Sequence, residues 1–250
     1  MILYGRNPVR EALRGRRAGA VAEVWATAGA ARERWLSGVK VRPASAEEIE
    51  RRCGSGAHQG VCADAGAYPY SGPDELLAGP QPLLVALDEV QDPQNLGSIC
   101  RTAECVGAAG VLICERRAAE VTPAACKASA GALEHLRVAR VRNMADFLIG
   151  ARAAGCWSYG ASPLPADPAK EGAERPRKQR VPVRYDEPDY RGAGVVLVLG
   201  SEGRGLRPRV SQACDQLIYL PMLGRTESLG VSAAAAAALY EILQNRANCA

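Results

Sequence analysis

Short apolar runs alternate with amphipathic stretches over the second two thirds of the chain. The runs are Leu83 to Leu87, Gly110 to Cys114, Arg137 to Val141, Cys156 to Gly160, Val195 to Leu199 and Leu217 to Leu220. Apolar runs of this length, bounded by turn residues, predict strands buried on both faces. Between them, spacing and caps predict helices over Asn95 to Val106, Pro123 to Ser129 behind Thr122, Met144 to Ala153 behind Asn143, and Arg207 to Ala213. Strands separated by helices predict an α/β fold with a mostly parallel sheet, covered on both faces, whose ligands lie at the carboxyl ends of the strands.

The last element has its own pattern. After Pro221 and a loop containing Gly224, a helix is predicted from Ser228, with no charged side chain before Glu241 and six successive alanines from Ala233 to Ala238. Alanine has the highest helix propensity, and a face of small groups suits either a tightly packed core helix or a subunit interface.

The first 66 residues read as a small α/β unit. Helices are predicted over Pro8 to Arg17, Ala30 to Leu36, and after Ser45, whose pairing with Glu48 is a capping-box signature. Strands are predicted over Val21 to Ala26, Val39 to Arg42 and Gly60 to Ala63. Pro69, Gly72, Pro73, Gly79, Pro80 and Pro82 then predict an exposed linker over 67–82, with the second domain spanning 83–250. A further break at 162–191, rich in proline and containing Arg175, Arg177, Lys178 and Arg180, predicts a mobile surface insertion.

Charge changes this picture by its location. The formal net charge is +4, and residues 1–66 carry 11 Lys+Arg against 7 Asp+Glu while residues 67–250 carry 20 of each. Arg6, Arg10, Arg14 and Arg17 lie at helical spacing behind an Asn7 cap and form a basic stripe, a candidate surface for nucleic-acid phosphates. Composition removes other classes. No run of apolar residues is long enough to span a membrane, and nine cysteines with no paired C-x-x-C spacing predict free thiols in a cytoplasmic protein with no zinc site.

Three stretches fall at predicted strand ends. In LDEVQDPQNLGSICR (87–101), Asn95 opens a helix, Gly97 leaves its first turn bare enough for a substrate backbone, and Arg101 lies off the apolar stripe. VVLVLGSEGRGL (195–206) runs from a buried strand into a glycine-rich loop whose spacing fits neither a dinucleotide fingerprint nor a phosphate loop. The third is the terminal loop and helix. In order and spacing the three resemble the motifs of the SpoU family of RNA ribose 2′-O-methyltransferases: N-L-G-x-x-x-R at 95–101, L-G-S-E-G-x-G-L at 199–206, and L-P-M-x-G with S-L at 220–229. KASAGALEHL (127–136), GRNPVREAL (5–13) and HQGV (58–61) are similar to the branch acting on 23S ribosomal RNA.

The resemblance implies a C-terminal trefoil knot of the SPOUT type, preceded by a substrate-binding domain resembling L30e/L7Ae ribosomal proteins, in a homodimer. It implies S-adenosylmethionine held by Gly200, Leu220, Met222 and Leu229, RNA held by the front domain, and catalysis by Arg101, Asn95, Glu202 and Ser228. By the family pattern Arg101 takes the proton role and Asn95 holds it and the ribose. A guanidinium keeps its proton at ordinary pH, so either a substrate phosphate and a dry site perturb it, or it stabilises the forming alkoxide. Glu202 would orient Arg101 by a charge-assisted pair. His58 and His135 are expected to be structural. Transfer-RNA methylation, or RNA binding without catalysis, are the other functions this pattern suits. One departure stands out: the family's S-L-N is Ser228, Leu229, Gly230 here.

Overall fold

The computed structural model describes residues 1–162, 181–225 and 229–247 and holds two sheets. The front unit runs β1 (Ile2–Tyr4), α1 (Arg6–Ala12), β2 (Glu23–Ala26), β3 (Val41–Pro43), α2 (Ala46–Cys53) and β4 (Val61–Asp64). Its sheet has the order β1-β4-β2-β3, with β4 antiparallel to β1 and β2, and β3 parallel to β2. Ser45 caps α2 as its spacing predicts, accepting from the Glu48 N–H at 3.2 Å. Strand β1 carries no such signal, and 30–36 forms two short 3₁₀ turns rather than a helix.

After α3 (Pro73–Leu77), the second unit runs β5 (Leu83–Asp88), α4 (Pro93–Cys105), β6 (Gly110–Cys114), α5 (Pro123–Ala128), β7 (Val138–Val141), α6 (Met144–Ala153), β8 (Cys156–Ala161), β9 (Val183–Arg184), β10 (Gly194–Gly200), α7 (Pro208–Ala213), β11 (Gln216–Tyr219) and α8 (Val231–Ala247). Its seven strands are all parallel, in the order β7-β6-β5-β10-β8-β11-β9. Strand β10 therefore fills the place between β5 and β8, both laid down before it.

Period-two alternation divides each buried strand between two cores. Leu83, Val85 and Leu87 with Val195, Leu197 and Leu199 join Leu96 and Ile99 of α4 and Leu239 and Ile242 of α8 on one face. Leu84, Ala86, Val196 and Val198 join Met144 and Leu148 of α6 and Val210 of α7 on the other. Full burial of each such leucine or isoleucine contributes about 1.5–3 kcal/mol. This is why these strands read as unbroken apolar runs.

The first of these cores does not stop at the domain boundary. It continues into Leu3, Val9, Ala12, Val24 and Val61 of the front unit. Segment 67–82, expected as an exposed linker, is exposed over 78–81 but packs elsewhere: Tyr68 is buried and donates its hydroxyl to the carbonyls of Leu133 and Leu136, each at 3.0 Å, and Ser71 N–H donates to Val138 O at 2.9 Å. Leu76 is fully buried. The insertion expected at 162–191 also ends early. Strand β9 pairs with β11, and Tyr190 is buried edge-on to Tyr159. Arg175, Arg177, Lys178 and Arg180 lie outside the described residues.

Candidate active site

Strands β5 and β10 are neighbours, with Gly200 paired to Asp88, so the loops leaving their carboxyl ends rise side by side. The first turns into α4, capped by Asp92, whose side chain accepts from the Gln94 N–H at 3.0 Å with Pro93 in the first turn. Asn95 is thus in the first turn of α4 rather than its opener. The second loop folds back on itself, Gly205 N–H donating to Ser201 O at 2.9 Å. Its tip brings Glu202 to Asn95, whose Nδ2 donates to Glu202 Oε1 at 2.5 Å. Glu89, Val90, Gln91, Asp92, Asn95, Ser201, Glu202 and Arg204 line a cleft of about 340 Å³ there.

The expected catalytic residues are therefore brought together in part. Asn95 and Glu202 meet. Arg101 lies on α4 beyond the cleft lining, exposed, with no hydrogen bond or ion pair to another described residue. The expected Glu202–Arg101 pair is absent among the described residues, and Glu202 accepts from the Asn95 amide. Ser228 lies outside the described residues. Helix α8 begins at Val231 rather than at Ser228, with Gly230 O accepting from Ala233 and Ala234 N–H.

Gly97 has a different role from the expected one, and Gly200 has an additional one. A Cβ on Gly97 would sit 2.5 Å from Ala125 O and 2.5 Å from Ala128 Cβ, so the backbone that approaches Gly97 is α5, and substrate has no access there. A Cβ on Gly200 would overlap the backbone of Gly205 and Leu206, so this glycine first of all lets its own loop fold back. Leu220 is half-buried, while Met222 and Leu229 are 40% and 45% exposed beyond β11. Residues 221–225 make no backbone hydrogen bond to another described residue. Apolar side chains beside backbone groups that have no partner among the described residues, with a folded glycine loop, suit an adenosine-bearing cofactor: apolar cover for the ring, amides for its edge.

The basic stripe is corrected. Helix α1 ends at Ala12, and the chain then turns against the second unit, leaving Arg17 2% exposed and bonded to Glu134 through Nε at 2.8 Å and Nη2 at 2.5 Å. Burial pushes the Arg17 guanidinium down, but the bond and charge of Glu134 outweigh it and hold the pKa above its ordinary value. Arg17 is an interdomain residue and cannot face RNA. Arg6 pairs with Glu33 at 2.8 Å, Arg10 with Glu11 at 2.7 Å, and Arg14 is exposed. Both histidines have partners within the chain, His58 Nδ1 accepting from Gly60 N–H at 2.9 Å and His135 Nε2 lying 2.9 Å from Glu11 Oε2.

Sequence reasoning missed Asp88, Glu89 and Arg207. Asp88 is fully buried at the end of β5 and accepts from Arg207 N–H at 2.9 Å and Nε at 2.8 Å, and Glu89 adopts φ 60° while lying 3.2 Å from Arg207 Nη1. A non-glycine residue held in the left-handed region beside a cleft marks local strain. The signal was the acidic pair that ends β5. Among the described residues no cluster of His, Cys, Asp and Glu could hold a metal, and no helix is long and apolar enough to cross a membrane.

Comparison with known proteins agrees with this layout. The family model of the SpoU rRNA methylases matches residues 82–240, and that of the RNA 2′-O ribose methyltransferase substrate-binding domain matches residues 2–71. A putative TrmH family tRNA/rRNA methyltransferase of Bacillus subtilis, YacO, is 40% identical over 197 residues, covering 77% of this chain and 72% of its own. An uncharacterized tRNA/rRNA methyltransferase of Mycolicibacterium vanbaalenii is 37% identical, covering 98% and 76%. Among solved structures, the SpoU methyltransferase AviRb of Streptomyces viridochromogenes in complex with AdoMet superposes with a TM-score of 0.74 at 25% identity, over 98% of this chain and 89% of that one.

Proposed function

Since the chain belongs to the SpoU methyltransferase family, we propose that it transfers a methyl group from S-adenosylmethionine to a ribose 2′-hydroxyl of RNA, with 23S ribosomal RNA as the substrate. The observation that carries this reading is the cleft at the carboxyl ends of β5 and β10 where Asn95 and Glu202 meet. Support for the cofactor comes from the AdoMet complex of AviRb and from the exposed apolar residues beyond β11.

The bound cofactor supplies an electrophilic sulfonium methyl whose thioether leaves neutral. What remains for the protein is alignment and help with one proton. Asn95, fixed by Glu202, holds the ribose. Arg101 stabilises negative charge as it develops on the ribose oxygen, a task suited to a group that keeps its own proton, and the hydroxyl proton passes to solvent. Gly200, Leu220, Met222 and Leu229 form the cofactor's wall.

The front unit, residues 1–66, binds RNA through Arg6, Arg10 and Arg14, supported by the match of its residues to the substrate-binding family and by its excess of positive charge. A trefoil knot is supported by the strand order: β10 enters between β5 and β8, β11 goes beyond β8, and α8 returns against α4 and β10. A homodimer is supported by Leu223, Tyr240 and Leu243, large apolar side chains left exposed near the C-terminal end of the chain.

The test is methyl transfer from labelled S-adenosylmethionine into total RNA, with the product fractionated and its 2′-O-methyl sites mapped. Label in 23S ribosomal RNA is expected. Label in transfer RNA alone reassigns the substrate, and RNA binding without any label leaves a binding protein that has kept the fold.

A further inference from the structure

The loop that carries Glu202 stands with both feet on one residue. At its start, Gly200 pairs with Asp88 in the β10–β5 ladder. At its end, Arg207 binds the Asp88 side chain, its backbone N–H to Oδ2 at 2.9 Å and its guanidinium Nε and Nη2 to Oδ1 at 2.8 and 2.5 Å. The Asp88 carboxylate is fully buried while the Arg207 side chain is 42% exposed, so the pair is shielded from water on the carboxylate side only. Between the feet the loop is closed by the Gly205–Ser201 bond and packed over Gly200, leaving its tip little freedom except through its feet. Glu89, next to Asp88, keeps its strained backbone while its carboxylate lies against Arg207 Nη1 at 3.2 Å and Arg117 at 3.8 Å.

We propose that Arg207, clasped by Asp88 and Glu89, is a positioning residue for methyl transfer: it fixes the height and direction of the 201–206 loop, and through Glu202 the amide of Asn95. The proposal rests on the methyl-transfer reading for its kinetic part only. Arg207 does not itself line the cleft, although its partner Glu89 does. Its effect is transmitted through Glu202, and a displacement of about 1 Å in a positioning group costs on the order of 10² in rate.

Four variants test this, Glu202→Gln alone serving as the reference for the last. In Arg207→Met, kcat is expected to fall about 10²-fold while the cofactor Kd from calorimetry stays within about threefold, and exchange of the Gly205 amide, which reports loop closure, accelerates. Arg207→Lys keeps the charge without the planar fork and is expected to recover part of kcat. Combining Arg207→Met with Glu202→Gln should slow transfer no further than the slower single variant, because both act on one amide.

A kcat within about threefold of wild type in Arg207→Met, a cofactor Kd that weakens in parallel with kcat, or an unchanged Gly205 exchange rate each overturns the proposal. Should Arg207→Met not fold, Arg207→Lys carries the same readouts. If the wild-type protein transfers no methyl group, the functional reading fails separately, and Gly205 exchange alone decides whether Arg207 sets the loop.

Discussion

Arg17 and Glu134, one from each unit, close on each other through two hydrogen bonds where their side chains are 2% and 0% exposed. Removing one partner leaves the other charge buried, at a cost of about 3–5 kcal/mol. Arg17→Met or Glu134→Gln should therefore lower the unfolding free energy by several kcal/mol in denaturant melts. The double replacement should cost less than the sum. The same pair predicts that the front unit is not detachable: a chain lacking residues 1–66 should lose stability together with RNA affinity, because it uncovers a shared core.

Glu11 sits between Arg10 and His135 across the same interface. Burial raises its pKa, but the hydrogen bonds and charges of His135 and Arg10 prevail and hold it below the ordinary 4.5. A carboxyl depressed in the folded state contributes stability that is present above its unfolded value and lost as pH falls through its folded one. The advantage of wild type over Glu11→Gln in denaturant melts should therefore shrink as pH drops below about 4.5. An advantage that grew in acid would contradict the assignment.

Arg101 is exposed and makes no hydrogen bond or ion pair to another described residue, so its replacement is a clean probe. Arg101→Lys should leave the melting temperature unchanged and abolish methyl transfer, since an ammonium lacks the planar fork. Activity within about threefold of wild type, roughly 0.65 kcal/mol on the barrier, would remove Arg101 from the mechanism.

Gly230 occupies the cap position of α8, and a Cβ there meets nothing within 4 Å among the described residues. Asparagine is a better cap than glycine by a few tenths of a kcal/mol. Gly230→Asn should raise the melting temperature slightly and change the transfer rate by less than about tenfold, or 1.4 kcal/mol. A wild type silent on every RNA, rescued only by Gly230→Asn, would show that the missing amide is essential.

What could be read from the sequence follows from physical range. The strands β5, β6 and β10 were legible because burial on both faces writes an unbroken apolar run, and the Ser45, Thr122 and Asn143 caps because their partners lie two or three residues away. Gly97 and Gly200 were recognised as places of close approach, but a missing side chain does not say what approaches. Arg17 shared the spacing of its neighbours on paper, and only the end of α1 at Ala12 turns it inward. Asp88 and Arg207 are 119 positions apart, and nothing local links them.

The place of β10 also bears on how the protein comes into being. Its partners β5 and β8 are synthesised earlier, yet neither has its inner neighbour until residues 194–200 have left the ribosome. Two apolar strand edges must therefore wait, open to pairing with any other chain, while more than thirty further residues follow β8. Refolding should be slow for a chain of this size, and its yield should fall steeply with protein concentration.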